Sequence, residues 1–286
     1  MIIFDKEIKT RTHSCQFNDE QIHPIKPYIN LYIRLTNNCQ ANCKFCEYHS
    51  GSRQKFDLEK FVKVLLHLRS NKIRINKINF TGGEPALYMD TLADIYNVIK
   101  KIYSHVELTI NTNGFRINEI FDNFNFEYYA LSRHHYDDDK NKEIFGANVP
   151  SFDEIKKYSE RDNIHLRCNL IKGYIDSKEE IITYIEKFSN IGVMDFGFVS
   201  LMQLNKYCVD NFIDYNVTQF NTIENMKLNF QQKTTGCNCK NYLYFTKNGN
   251  VVQLYSRFNE DFTNQYNTLV FDVDKLTSGF GGEVII

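Results

Sequence analysis

Tryptophan is absent from this 286-residue chain, prolines number only 4, and no apolar run approaches the length of a membrane span. With so few prolines and no low-complexity tract there is no sign of a flexible linker, so the chain reads as one large domain, or one domain with a smaller appendage. A surplus of charge is missing too: 34 Lys and Arg against 35 Asp and Glu leave a net charge of −1. That argues against a nucleic-acid partner or an anionic membrane surface, both of which call for a broad basic field, and favours a small molecule or a peptide. The opening MIIFDKEIKT turns charged after four residues and lacks the apolar core of a signal peptide, which predicts a cytoplasmic protein.

What the chain does have is cysteine, eight in all, three of them within RLTNNCQANCKFCEYHS as Cys39, Cys43 and Cys46. In a reducing compartment such a cluster points to metal or redox chemistry rather than to disulfides. A structural zinc site closes with four ligands, and no further cysteine follows Cys46 until Cys168. Three thiolates on a 4Fe–4S cluster leave one iron open for a substrate or cofactor. Cys15, Cys168 and Cys208 stand alone and read as ordinary buried thiols.

Between residues 30 and 204, short β-rich runs alternate with longer segments of helical period, the pattern of βα units around a parallel sheet. Strands are predicted near NLYIRL, NKINFT, VELTIN, EYYALS, HLRCNLI and MDFGFVS, and helices over DLEKFVKVLLHLRS, YMDTLADIYNVIKKIY and SKEEIITYIEKFSN. Six such units predict a partial (βα)6 TIM-like barrel. Residues 1–29 form a lead-in, and residues 205–286 a small C-terminal extension containing a β-hairpin turned at Lys247-Asn248-Gly249. The polar motifs TGGEP, NTNG and SRHHYDDD follow successive strands, so they share one face with the cysteines.

CQANCKFC, with Phe45 before the third cysteine, resembles the CxxxCxΦC motif of radical SAM enzymes. TGGEP fits the same family, and the C-terminal CNCKNYLYFTKNGNVVQL resembles the molybdenum-cofactor GTP cyclase and its SPASM and twitch relatives. The resemblance implies a 4Fe–4S cluster on Cys39, Cys43 and Cys46. Its open iron would chelate S-adenosylmethionine, whose reductive cleavage yields a 5'-deoxyadenosyl radical that abstracts hydrogen from substrate. It implies cofactor contacts at Phe45, Thr81, Gly82, Gly83, Glu84, Asn111, Asn113, Ser132 and Asn169. In that assignment the glycines admit the methionyl end, and the Glu84 carboxylate accepts from its amino group. An electron donor such as flavodoxin or ferredoxin follows as a partner.

The chain departs from the auxiliary-cluster pattern of those relatives. Cys237 and Cys239 supply a pair, but no cysteine follows them. An auxiliary cluster on the pair would have to recruit Cys208, Cys15 or a non-cysteine ligand such as Gln253 or a histidine; without one, the pair is either a relic or a donor of a hydrogen atom to a substrate radical. In the loop after the fourth strand, Arg133 and His134 are candidate substrate contacts, and Asp137 to Asp139 read as helix caps. The leading expectation is an enzyme acting on a small polar metabolite such as a nucleotide, sugar or amino-acid derivative. A peptide-modifying maturase and a non-enzymatic metal-binding protein are the alternatives.

Overall fold

The repeating part of the chain begins at β3, after a short antiparallel pair, β1 (Ile2–Ile3) and β2 (Lys6–Glu7). It runs β3 (Tyr28–Arg34), α1 (Leu58–Ser70), β4 (Arg74–Thr81), α2 (Met89–Ile102), β5 (Glu107–Thr112) and α3 (Ile117–Asn123). It continues through β6 (Tyr128–Ser132), α4 (Asp138–Phe145), α5 (Phe152–Lys156), β7 (Ile164–Leu170), α6 (Lys178–Ser189), β8 (Asp195–Ser200) and α7 (Lys206–Asp210). Five strands follow: β9 (Met226–Gln231), β10 (Lys240–Thr246), β11 (Val251–Ser256), β12 (Thr268–Asp272) and β13 (Lys275–Thr277). This computed structural model describes residues 1–8, 28–47, 54–161, 163–214, 226–231, 240–256 and 267–286.

Each βα unit follows from local sequence. The apolar stripe Phe61, Val64, Leu65 and Leu68 recurs at helical spacing on α1, and Asp57 caps that helix by accepting from Lys60 N–H at 2.9 Å. On α6 the stripe is Ile181, Tyr184, Ile185 and Phe188, capped by Ser177. The strands alternate: Ile29, Leu31 and Ile33 of β3 are buried in the same apolar core as these helices, while Tyr28, Asn30 and Tyr32 between them are half-buried on the other face. That second, more polar face is the inner face of the sheet.

β3 to β8 are neighbours in chain order and all parallel, which makes a partial (βα)6 TIM-like barrel. The last strands do not stack on this barrel as a separate layer; they lengthen its sheet. β11 pairs in parallel with β8, and β12 pairs in parallel with β3, so both edges of the six-strand core are covered within a sheet of 11 strands. The hairpin of β10 and β11 turns where the sequence places it, with Gly249 at φ +83° and Gly249 N–H donating to Thr246 O at 3.0 Å. β12 and β13 carry no sequence signal strong enough to anticipate. They are short, and β12 becomes a strand by pairing with a segment that lies over two hundred residues earlier.

Candidate active site at the cysteine loop

The loop after β3 is seated on the turn after β4 by backbone bonds. Leu35 N–H donates to Thr81 O at 3.1 Å, Gly83 N–H to Thr36 O at 2.7 Å and Glu84 N–H to Asn38 O at 2.8 Å. Such proximity demands glycine: a Cβ on Gly82 would lie 2.4 Å from Thr36 O, and one on Gly83 only 1.9 Å from Asn38 O. The glycines of TGGEP thus clear space for the entry to the cysteine loop. Further along, Asn42 N–H donates to Phe145 O at 2.7 Å at the end of α4, and Asn205, the N-cap of α7, donates through Nδ2 to Lys44 O at 3.2 Å. Cys208 of α7 is buried beneath the same loop with its Sγ 3.5 Å from Phe45 O, which makes it a packing thiol, as its isolation in sequence suggested.

Cys43 is buried, and burial pushes its thiol up to about 12, with Cys46 and Cys39 adding to the rise. Burial likewise raises Cys39, whose Sγ accepts from Ala41 N–H at 3.4 Å and from Asn113 Nδ2 at 3.5 Å. Without metal these two thiols keep their protons at neutral pH, and metal binding would release them. Among the described residues no three His, Cys, Asp or Glu side chains converge as ligands of one ion. A cluster taking one thiolate on each of three irons needs no such convergence. An all-sulfur donor set in one short loop, with two backbone or amide N–H groups already aimed at a sulfur, fits an iron–sulfur cluster.

Glu84 is wholly buried, and its carboxylate serves the chain itself. Oε1 accepts from Ala86 N–H at 3.0 Å and from Thr112 Oγ1 at 2.7 Å; Oε2 accepts from Asn113 N–H at 2.8 Å. It ties the turn after β4 to NTNG after β5. Burial raises this carboxyl to about 7 despite those three bonds.

Both candidate substrate contacts after β6 are buried, with partners inside the chain. Arg133 is 1% exposed, and its guanidinium donates to His135 O at 2.7 Å, Pro150 O at 2.7 Å and Tyr136 O at 3.4 Å, and to the Asp138 carboxylate. With three loop carbonyls and the Asp138 carboxylate on its guanidinium, it braces the loop as a strut. His134 is 5% exposed: its ring stacks on Phe145 at 4.8 Å between centroids, meets Phe45 edge-on at 5.1 Å, and accepts from Asn169 N–H at 3.1 Å through Nδ1. Burial drives it down to about 3, with Arg133 adding to the effect, so the ring is neutral at physiological pH. Phe45 is accordingly a packing ring between the cysteine loop and His134. Asp137 does cap α4, accepting from Lys140 N–H at 3.0 Å.

The radical SAM superfamily model matches residues 33–185, over half of the chain, and spans the cysteine loop, the glycine turn and the first five βα units. The chain belongs to the radical SAM superfamily. A probable GTP 3',8-cyclase of Saccharolobus solfataricus is 28% identical over 188 residues, covering 62% of this chain and 58% of that protein. The GTP 3',8-cyclase of Aquifex aeolicus is 26% identical over 204 residues, covering 63% and 61%. The chain thus spans about six-tenths of the length of these curated relatives. Among solved structures, a radical SAM methyltransferase from Sphaerobacter thermophilus superposes with a TM-score of 0.51 at 15% identity, covering 67% of this chain and 60% of that one. Streptococcus suis SuiB does so with a TM-score of 0.50 at 19% identity, covering 63% and 41%. Those two likenesses are of fold.

Radical SAM proteins are enzymes whose cofactors are a 4Fe–4S cluster and S-adenosylmethionine. In this member the inner face of the sheet adjoins the cysteine loop, and Thr81, Asn111, Ser132 and Asn169 are half-buried at the ends of β4, β5, β6 and β7. Asn113 stands apart from that row, since its amide faces Cys39. Deeper on β7 and β8 lies a cluster that sequence reading passed over. Arg167 Nη1 donates to Asp195 Oδ1 at 2.9 Å, His165 Nδ1 lies 2.8 Å from Asp195 Oδ2, and Tyr128 packs against the His165 ring. Burial works to raise the Asp195 carboxyl, but its contacts with His165 and Arg167 outweigh it and hold it below its ordinary value. The signal was available: His165, Arg167 and Asn169 alternate along HLRCNLI, polar residues at period two on a strand whose other face is core. Cys237 and Cys239 lie outside the described residues.

Proposed function

We propose that this chain cleaves S-adenosylmethionine reductively and takes a hydrogen atom from a small polar metabolite bound on the inner face of the barrel. The observation that carries the reading is the seating of the three-cysteine loop, backbone against backbone, on the glycine turn after β4. When bound, the cluster and S-adenosylmethionine supply the electron and the hydrogen-abstracting radical. The chain's own part is positional. The turn and α4 hold the loop; Glu84 after β4 and Asn113 after β5 brace it; Thr81, Asn111, Ser132 and Asn169 offer hydrogen-bonding groups toward the cofactor and substrate. Residues 30–204 do this work, and residues 205–286 close the sheet edges. A nucleotide is the first substrate class to test, because the curated relatives are named GTP 3',8-cyclases. Sugars and amino-acid derivatives come next, and an electron donor of flavodoxin or ferredoxin type would serve as partner.

Anaerobic reconstitution is expected to yield about four irons per chain, and reduction with dithionite to release 5'-deoxyadenosine from S-adenosylmethionine. Replacing Cys39, Cys43 and Cys46 together with alanine abolishes both. A triple variant that keeps its iron, or a fully loaded and reduced wild type that cleaves no cofactor with any of the candidate substrates, overturns the proposal. Cys237 and Cys239 are read as a relic. Their double alanine variant keeps iron and turnover, whereas 5'-deoxyadenosine formed without normal product would show hydrogen donation by the pair, and iron lost relative to wild type would show them to be auxiliary-cluster ligands.

A further inference from the structure

The amide of Asn113 has every hydrogen-bonding group accounted for, and one of them points at a cluster ligand. Phe115 N–H donates to Asn113 Oδ1 at 3.0 Å. A backbone N–H can only donate, so this bond settles which end of the amide is oxygen. The NH2 end must then face the other way, where Nδ2 lies 3.5 Å from Cys39 Sγ and 3.3 Å from Gln40 Oε1. Gln40 returns a bond from Nε2 to Asn113 Oδ1 at 2.9 Å, closing an amide pair. From the main chain, Asn113 N–H is held by the buried Glu84 carboxylate at 2.8 Å. The Asn113 side chain is buried, while Gln40 and Cys39 are half-buried.

We infer that Asn113 is a positioning residue for the cluster, whose N–H···S bond to Cys39 raises the cluster's reduction potential. The inference rests on the assignment of Cys39 as a cluster ligand. A donor dipole aimed at a ligand sulfur stabilises the negative charge that the cluster gains on reduction, and burial strengthens that effect. Ala41 N–H, at 3.4 Å, is a second donor to the same sulfur and belongs to the cysteine loop itself. Asn113 comes from the segment after β5, so through it Glu84 and the turn after β4 bear on the same sulfur. This role differs from a contact with S-adenosylmethionine, because it acts whether or not that cofactor is bound.

The test is an anaerobic redox titration of the reconstituted protein, followed by EPR without S-adenosylmethionine. Asn113→Leu removes the donor at similar size and adds no charge, and its midpoint potential is expected to fall below that of the wild type. Asn113→Ala likewise removes the donor without adding charge, and it carries the test should the leucine variant load poorly; its midpoint should fall as well. A midpoint unchanged in a variant that holds its full iron complement overturns the inference. A variant whose potential is unchanged but whose affinity for S-adenosylmethionine drops, read by equilibrium binding, assigns Asn113 to the cofactor instead. Failure of the wild type to bind a cluster would count against the enzyme assignment itself, and is distinguished by its iron and sulfide content before any titration.

Discussion

At Gly83 a single added carbon would sit 1.9 Å from Asn38 O, a backbone atom that cannot swing aside as a side-chain tip can. Gly83→Ala therefore has to push the turn after β4 away from the cysteine loop. The expected result is a loss of iron on reconstitution together with about 2 kcal/mol or more of stability. Iron content and thermal melting check this; a fully loaded variant melting with the wild type would refute it. Glu84 makes a second residue-scale prediction. In Glu84→Gln one oxygen becomes an NH2 group facing Ala86 N–H or Asn113 N–H, leaving donor against donor at a cost of about 1–3 kcal/mol. The carboxyl also titrates differently in the two states, from an ordinary 4.5 to about 7 when folded. Between those values the native chain keeps a proton that the unfolded chain has lost, so this group's contribution to stability is full below pH 4.5 and declines as pH rises toward 7. Urea titrations across that window should show a fall in wild type that the glutamine variant lacks.

The segment from β6 into α4 shows what an element requires that its residues do not announce. Read alone, SRHHYDDD is a cluster of polar groups at the active-site end of a strand, open to a catalytic reading. Folded, Arg133 holds three loop carbonyls and the Asp138 carboxylate, Tyr184 OH donates to Arg133 O at 2.9 Å, and Asn141 Oδ1 accepts from His134 N–H at 2.8 Å. Arg133→Met should therefore cost about 3 kcal/mol, because the carbonyls stay buried and lose their donor. A substrate contact would behave otherwise, raising KM with little change in melting temperature, so measuring both separates the two roles. The helix caps were legible in sequence, since an aspartate or serine before a periodic apolar run is a local signal. The strut was not: Arg133 reaches Pro150 across seventeen residues, and no local pattern encodes that carbonyl.

Over the whole molecule, both edges of the six-strand core are closed by strands from the last part of the chain. Phe271 of β12 packs with Phe56 and Phe61 at ring separations of 5.2 and 5.1 Å, and Arg34 Nη1 of β3 meets Asp272 Oδ2 at 2.8 Å. Phe271→Ala is expected to cost about 3–5 kcal/mol and to lower the stability of the barrel as a whole, read as one cooperative unfolding transition at lower denaturant. An early, separate transition for the C-terminal segment would contradict this. The order of the βα units, the face that gathers the motifs and the three-thiol chemistry are all written in local patterns: alternation on strands, a 3.6-residue period on helices, and ligand spacing within one loop. These the sequence by itself determined. Which backbone the glycines approach, which atoms Arg133 and Glu84 satisfy, which sulfur Asn113 addresses and which strands take the sheet edges were decided only by the tertiary structure. Each depends on atoms brought within about 3 Å from distant parts of the chain, where steric exclusion and the pairing of buried polar groups choose the partner and sequence proximity does not.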